Sequence, residues 1–173
     1  LDTGPSVIGV SNGLDYDWQL VSENRKFWQD GNIEFNDIDN DGDMDIVAQD
    51  NDAYKDSRDY LLVYKNDGNN NFTESVVNLT QQVSLEEFRI KDIDKDGYKD
   101  IIIAVTRKDP YYVGKGLQVF LNVEDPITDN RKFIPGDYLL PDESLIDQYH
   151  GEGQLSVIDI NNVTNAKIIL FGS

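Results

Sequence analysis

Two stretches of the chain, DIDNDGDMDIV from Asp37 and DIDKDGYKDII from Asp92, are copies of one another 55 positions apart. In each, carboxylates alternate with other residues around a glycine, and an apolar, β-branched run follows at once. Like charges crowded into one short turn repel one another unless a cation sits among them. A chain that repeats such a turn at a fixed period is built from one supersecondary unit used more than once.

The period extends beyond the acidic turns. A degenerate third copy, DINNVTNAKII, starts at Asp159, 67 positions after Asp92. LLVYKNDGNNNF (residues 61–72) matches VIGVSNGLDYDW (residues 7–18) in the placing of its Asn and aromatic, and LQVFLNVEDPITDNRKF (residues 117–133) is the next copy with a longer loop. The apolar runs are short, rich in Ile, Val, Leu, Tyr and Phe, and bounded by Asp, Asn and Gly, which predicts strands joined by turns. No run of ten residues carries a helical period. One repeat holds four such runs: IEFND before the acidic turn, MDIVAQ after it, then DYLLVYK and NFTESVVNL. Four strands in about 55 residues match one blade of a β-propeller.

The predicted fold is therefore all-β, built of four-stranded antiparallel blades, about three blade equivalents in all. Residues 1–29 supply the second half of a blade, 30–82 and 83–140 two whole blades with acidic turns, and 141–173 a linker and the first half of a degenerate blade. Ordinary propellers close with four to eight blades. The expectation is a part of a larger ring, or a homo-oligomer of copies.

Charge narrows the partners. Fifteen Lys and Arg stand against 33 Asp and Glu, a net charge of −18, which argues against nucleic acid or an anionic membrane as a partner. There is no cysteine, hence no disulfide framework, thiolate metal site or cysteine nucleophile. No apolar run approaches the roughly 20 residues of a membrane span, so no insertion is expected. The start LDTGPSVIGV lacks the basic-then-apolar pattern of a secretory leader.

Numbered from Asp37, the first turn has carboxylates at positions 1, 3, 5, 7 and 9 (Asp37, Asp39, Asp41, Asp43, Asp45) and Gly42 at position 6. The second has Asp92, Asp94, Asp96 and Asp100 at positions 1, 3, 5 and 9, Gly97 at position 6 and Tyr98 at position 7. Tyrosine offers no carboxylate, so position 7 is expected to give its backbone carbonyl in both. Hard oxygen donors on a flexible turn suit Ca²⁺ better than Mg²⁺, and about two ions are expected. An EF-hand would need a Glu at position 12 and a helix beyond it. Here position 12 is Ala48 or Ile103, within β-type sequence. The alternative is a solvated acidic turn without metal, against which stand two full ligand sets at one repeat spacing.

At these residues the chain resembles the FG-GAP and VCBS repeats of integrin-like, calcium-binding β-propellers, whose pattern is Asp-x-Asp-x-Asp-Gly-x-x-Asp followed by a strand. The resemblance spans most of residues 7–171, and VYKNDGNNNF is similar to the family's strand-turn-aromatic element. It implies a structural calcium in each turn between the first two strands of a blade. The side chains of Asp37, Asp39, Asp41 and Asp45, and of Asp92, Asp94, Asp96 and Asp100, would then be ligands, with Asp43 and Tyr98 giving carbonyls. It also implies an extracellular setting, secreted or at the cell surface. The third copy departs from the pattern: Val163, Thr164 and Lys167 stand at positions 5, 6 and 9, so no calcium is expected there.

On the opposite side of each blade, residues 50–59 and 106–116 offer Tyr54, Lys55, Arg107, Lys108, Tyr111 and Tyr112 as stacking and hydrogen-bonding groups for a glycan or an extracellular protein. The bland alternative is that these tyrosines cover blade edges. Trp18 and Trp28 are expected to pack between blades, and His150, the single histidine, to be a surface or packed residue. No Ser-His-Asp order, phosphate loop or histidine metal cluster is present, so no enzyme activity is expected. The expected function is a calcium-stabilised binding or adhesion module. The alternative is an accessory or scaffold portion of a secreted polysaccharide-acting enzyme.

Overall fold

The computed structural model describes residues 6–11, 16–22, 32–49, 60–69, 71–79, 83–107, 113–128, 130–139, 153–158 and 167–172. All regular structure among them is β. No helix there is long and apolar enough to cross a membrane. The chain divides into two compact units, Leu1–Asp37 with Asp41–Val77, and Ile38–Asn40 with Asn78–Ser173.

In the first unit, β1 (Ser6–Ser11) and β2 (Tyr16–Ser22) form an antiparallel pair, and β3 (Ile33–Asn36), β4 (Asp45–Gln49), β5 (Tyr60–Asn66) and β6 (Phe72–Asn78) form a four-stranded sheet in chain order. Every residue of β4 is buried, as are Leu61, Leu62, Val63 and Tyr64 of β5. A strand covered on both faces needs no polar alternation, which is why DIVAQ and YLLVY read as nearly continuous apolar runs. The outer strand β6 hides Val77 and exposes residues 73–76. Val21 of the β1–β2 pair packs with Ile46, Ala48, Leu62 and Tyr64, and Ile8, Tyr60 and Phe72 close the cluster. Each aliphatic side chain so buried is worth about 1.5–3 kcal/mol.

The second unit repeats the plan. Strands β7 (Val83–Lys91), β8 (Asp100–Arg107), β9 (Val113–Glu124) and β10 (Arg131–Leu139) form an antiparallel sheet in chain order, and β11 (Gly153–Ile158) pairs with β12 (Lys167–Gly172). Ile101 to Thr106 are all buried along β8, and β9 alternates, turning Gln118, Phe120 and Asn122 inward. The registers agree between sheets: Ile46 lies opposite Tyr64 and Ile101 opposite Phe120. In β7 the register shifts between Leu85 and Glu87, so Glu86 is an extra residue, and its carboxylate accepts from Thr106 Oγ1 at 2.9 Å.

Two four-stranded meanders and two two-stranded pairs match the all-β blade expectation, half, whole, whole, half. Tyr54, Lys55, Lys108, Tyr111, Tyr112, Trp28, His150 and residues 159–166 of the third acidic copy lie outside the described residues, and Lys167 of that copy opens β12 opposite Ile158. Arg107 ends β8 opposite Val83, and Trp18 lies in β2 opposite Gly9.

Candidate metal centre

Each acidic turn joins the first strand of its four-stranded sheet to the second: β3 to β4, and β7 to β8. The chain coils by placing two residues in the left-handed region, Asn40 (φ 61°) with Gly42 (φ 96°), and Lys95 (φ 66°) with Gly97 (φ 95°). Glycine takes that conformation freely and asparagine with little strain. The first carboxylate of each turn closes the coil. Gly42 N–H donates to Asp37 Oδ2 at 3.2 Å, Gly97 N–H to Asp92 Oδ2 at 3.1 Å, and Lys95 N–H to Asp92 Oδ1 at 2.7 Å.

That coil gathers three carboxylates in each turn: Asp37, Asp39 and Asp45 in one, Asp92, Asp94 and Asp100 in the other. In each group the candidate ligand oxygens lie within 4.8 Å of one another. The ninth-position residues, Asp45 and Asp100, are fully buried at the start of the second strand. Each is tied to the third strand by the same bond: Asn66 N–H donates to Asp45 Oδ1 at 2.9 Å, and Asn122 N–H to Asp100 Oδ1 at 2.9 Å. Ile93 N–H donates to Asp100 Oδ2 at 2.8 Å. The ninth aspartate thus fastens the turn to the sheet while presenting carboxylate oxygen to the cluster.

Burial pushes the Asp100 carboxyl above its ordinary value, and the neighbouring Asp94 charge adds to this, against the pull of the donors from Asn122 and Ile93. A buried carboxylate held beside like charges is the setting that a cation relieves. In the first turn Asp37 Oδ1 is buried and accepts no hydrogen bond. Such an orphaned acceptor in an all-oxygen cluster fits a hard cation, and the donor set suits Ca²⁺. Asp37, Asp39 and Asp45, and Asp92, Asp94 and Asp100, would hold the ion.

The fifth-position side chains take other partners. Asp41 Oδ1 accepts from Asp43 N–H at 2.9 Å, and Asp96 Oδ1 from Tyr98 N–H at 2.8 Å, so each caps the residue two ahead. Asp96 Oδ2 also receives Arg131 Nη2 at 3.0 Å. The Asp43 side chain lies against the β5–β6 turn, where a Cβ added at Gly68 would meet its Oδ2 at 2.4 Å. The Tyr98 ring lies beneath the Arg131 guanidinium.

Sequence reasoning missed three contributors. Asn66 and Asn122 act through their backbone N–H groups, and the one available signal is that each lies 21 or 22 residues after the last aspartate of its turn. Asn122 also donates from Nδ2 to the Ile38 carbonyl at 3.0 Å within the second unit. Arg131 sits 35 residues from Asp96, too far for any local pattern to join them.

Four-stranded antiparallel sheets, each carrying an aspartate cluster between its first and second strands, define a β-propeller-like repeat protein. Residues 37–103, from the first aspartate of one turn to the strand after the other, match the model of the FG-GAP-like repeat. No curated protein and no solved structure matches the chain.

Proposed function

We propose that the chain is a calcium-stabilised propeller segment that works outside the cell as a non-catalytic binding or adhesion module for a glycan or an extracellular protein. The observation that carries the reading is the pair of equivalent aspartate clusters, each locked to its sheet by a buried ninth-position carboxylate. Bound calcium supplies the charge that lets three carboxylates share one turn, and its role is structural. The FG-GAP-like repeat and the abundance of calcium outside cells both favour that setting. Asp43 and Tyr98 give their backbone carbonyls to the ion, and the tyrosine-bearing loops around Tyr54, Tyr111 and Tyr112, with Lys55 and Arg107, contact the ligand.

Melting curves of metal-free protein test the metal half of this reading. Saturating two sites at about 100 times Kd adds about 2.7 kcal/mol per site, a rise of roughly 10–20 °C for a chain of this size. Mg²⁺ at the same concentration should give much less. Equal melting with calcium, magnesium and chelator would overturn it. The ligand half is tested on an array of immobilised glycans and extracellular-matrix proteins in calcium. Binding weakened by Tyr111→Ala with Tyr112→Ala supports it, and no binding to any of them counts against it.

A further inference from the structure

Two side-chain amides join residues of the first acidic turn to the frame of the second. Asn40 Nδ2 donates to the Gly97 carbonyl at 3.0 Å, and Asn122 Nδ2 donates to the Ile38 carbonyl at 3.0 Å. Both bonds lie inside the second compact unit, to which Ile38–Asn40 belongs. At one end they bracket Asp39, a carboxylate of the first cluster. At the other end each reaches a residue that holds a carboxylate of the second cluster. Gly97 N–H donates to Asp92 Oδ2 at 3.1 Å, and Asn122 N–H to Asp100 Oδ1 at 2.9 Å.

Both amides are well placed for this. Ile38 and Asn122 are buried. Arg131 Nε donates to Asn122 Oδ1 at 3.2 Å, so the oxygen of that amide faces the arginine and its NH₂ faces the Ile38 carbonyl. Asn40 takes φ 61°, a conformation asparagine adopts with little strain, and the residue that suits the backbone there also supplies the donor.

Without a cation the carboxylates of each turn repel one another. An ion that draws Asp92 and Asp100 together fixes the Gly97 and Asn122 backbone, and through them the peptide groups on either side of Asp39. An ion that draws in Asp39 fixes the same bonds from the other end. Each ion therefore favours the gathered form of both turns. Coulomb repulsion between two divalent ions acts in the opposite sense, which gives the coupling a diagnostic sign.

Resting on the calcium reading above, we propose that the two calcium sites are coupled through Asn40 and Asn122, so that filling either one strengthens binding at the other.

Calorimetric calcium titration tests this through a thermodynamic cycle. Asp94→Asn silences the second site and reports the first alone, Asp39→Asn does the reverse, and the wild type gives the product of both binding constants. The wild-type product should exceed the product of the two single-site constants by at least about fivefold. The same three titrations in an Asn40→Gly background should give a factor of about twofold, because glycine keeps the left-handed backbone and removes one of the two amide bonds. A wild-type factor of one or less, a factor unchanged by Asn40→Gly, or a wild type that binds a single ion would overturn the proposal. If Asn40→Gly fails to fold, the wild-type factor alone decides. Absence of calcium heat in the wild type would sink the calcium reading itself.

Discussion

Asp100→Ala separates the structural role of the ninth-position carboxylate from its role toward metal. The Asp100 side chain is fully buried and accepts two backbone N–H groups, from Asn122 at 2.9 Å and Ile93 at 2.8 Å. Alanine leaves both donors without that acceptor. Hydrogen bonds to a charged group are worth about 1.5–3 kcal/mol each, so the gross loss is roughly 3–6 kcal/mol. Removing a carboxylate that burial disfavours returns part of this, and the net loss expected in metal-free protein is about 3 kcal/mol. At roughly 2–4 °C per kcal/mol, the melting temperature should fall by about 6–12 °C before any calcium is added. Asp94→Asn is the control: Asp94 is exposed, and asparagine keeps the Oδ1 that accepts Asp96 N–H at 3.1 Å. It should melt within about 1–2 °C of wild type without metal, as surface changes do, and fall behind only in calcium. Circular dichroism melts of the three proteins, with and without calcium, read all of this. An Asp100→Ala protein that melts with the wild type when metal-free, or an Asp94→Asn protein that falls as far, would refute the reasoning.

Three further perturbations follow from the turns. Lys95 adopts φ 66° where Asn40 stands in the first turn, so Lys95→Asn should relieve about 0.5–1 kcal/mol of strain and raise the melting temperature by about 1–4 °C. Gly42→Ala meets no atom within 4 Å yet forces φ 96° on an L side chain; it should cost about 1–2 kcal/mol in melts, from backbone strain alone. Asp67 and Asp125 are held below the ordinary aspartate value of 3.8, Asp67 chiefly by the Asn71 side chain and Asp125 chiefly by the Ile127 N–H. Depressed carboxylates stabilise the fold above their unfolded value and lose that contribution as pH falls through the folded one. The melting difference between wild type and Asp67→Ala with Asp125→Ala should therefore be full at pH 5 and shrink below pH 3.8.

The strands and the acidic clusters between them were legible because their signals are local. A covered central strand writes itself as DIVA or IIIAV, and alternate carboxylates around a glycine mark a tight turn that brings several of them together. The side chains of positions 1, 3 and 9 are those the structure gathers in both turns. The fifth-position aspartates look the same as these in sequence, yet Asp41 and Asp96 spend an oxygen on the N–H two residues ahead, a competition that spacing does not show. Arg131 was illegible for a different reason. Its partner is chosen by β10 lying beside β9 in one sheet, which brings residue 131 to Asn122 and Asp96 across the chain. The Glu86 bulge is likewise a matter of pairing, invisible until β7 and β8 are set side by side.

The most direct test of the account is metal analysis of protein dialysed to equilibrium against excess calcium. The account predicts about two calcium ions per chain, about one after Asp39→Asn or Asp94→Asn, and none after both. A wild type that retains no calcium, or a double variant that still holds two, would contradict it.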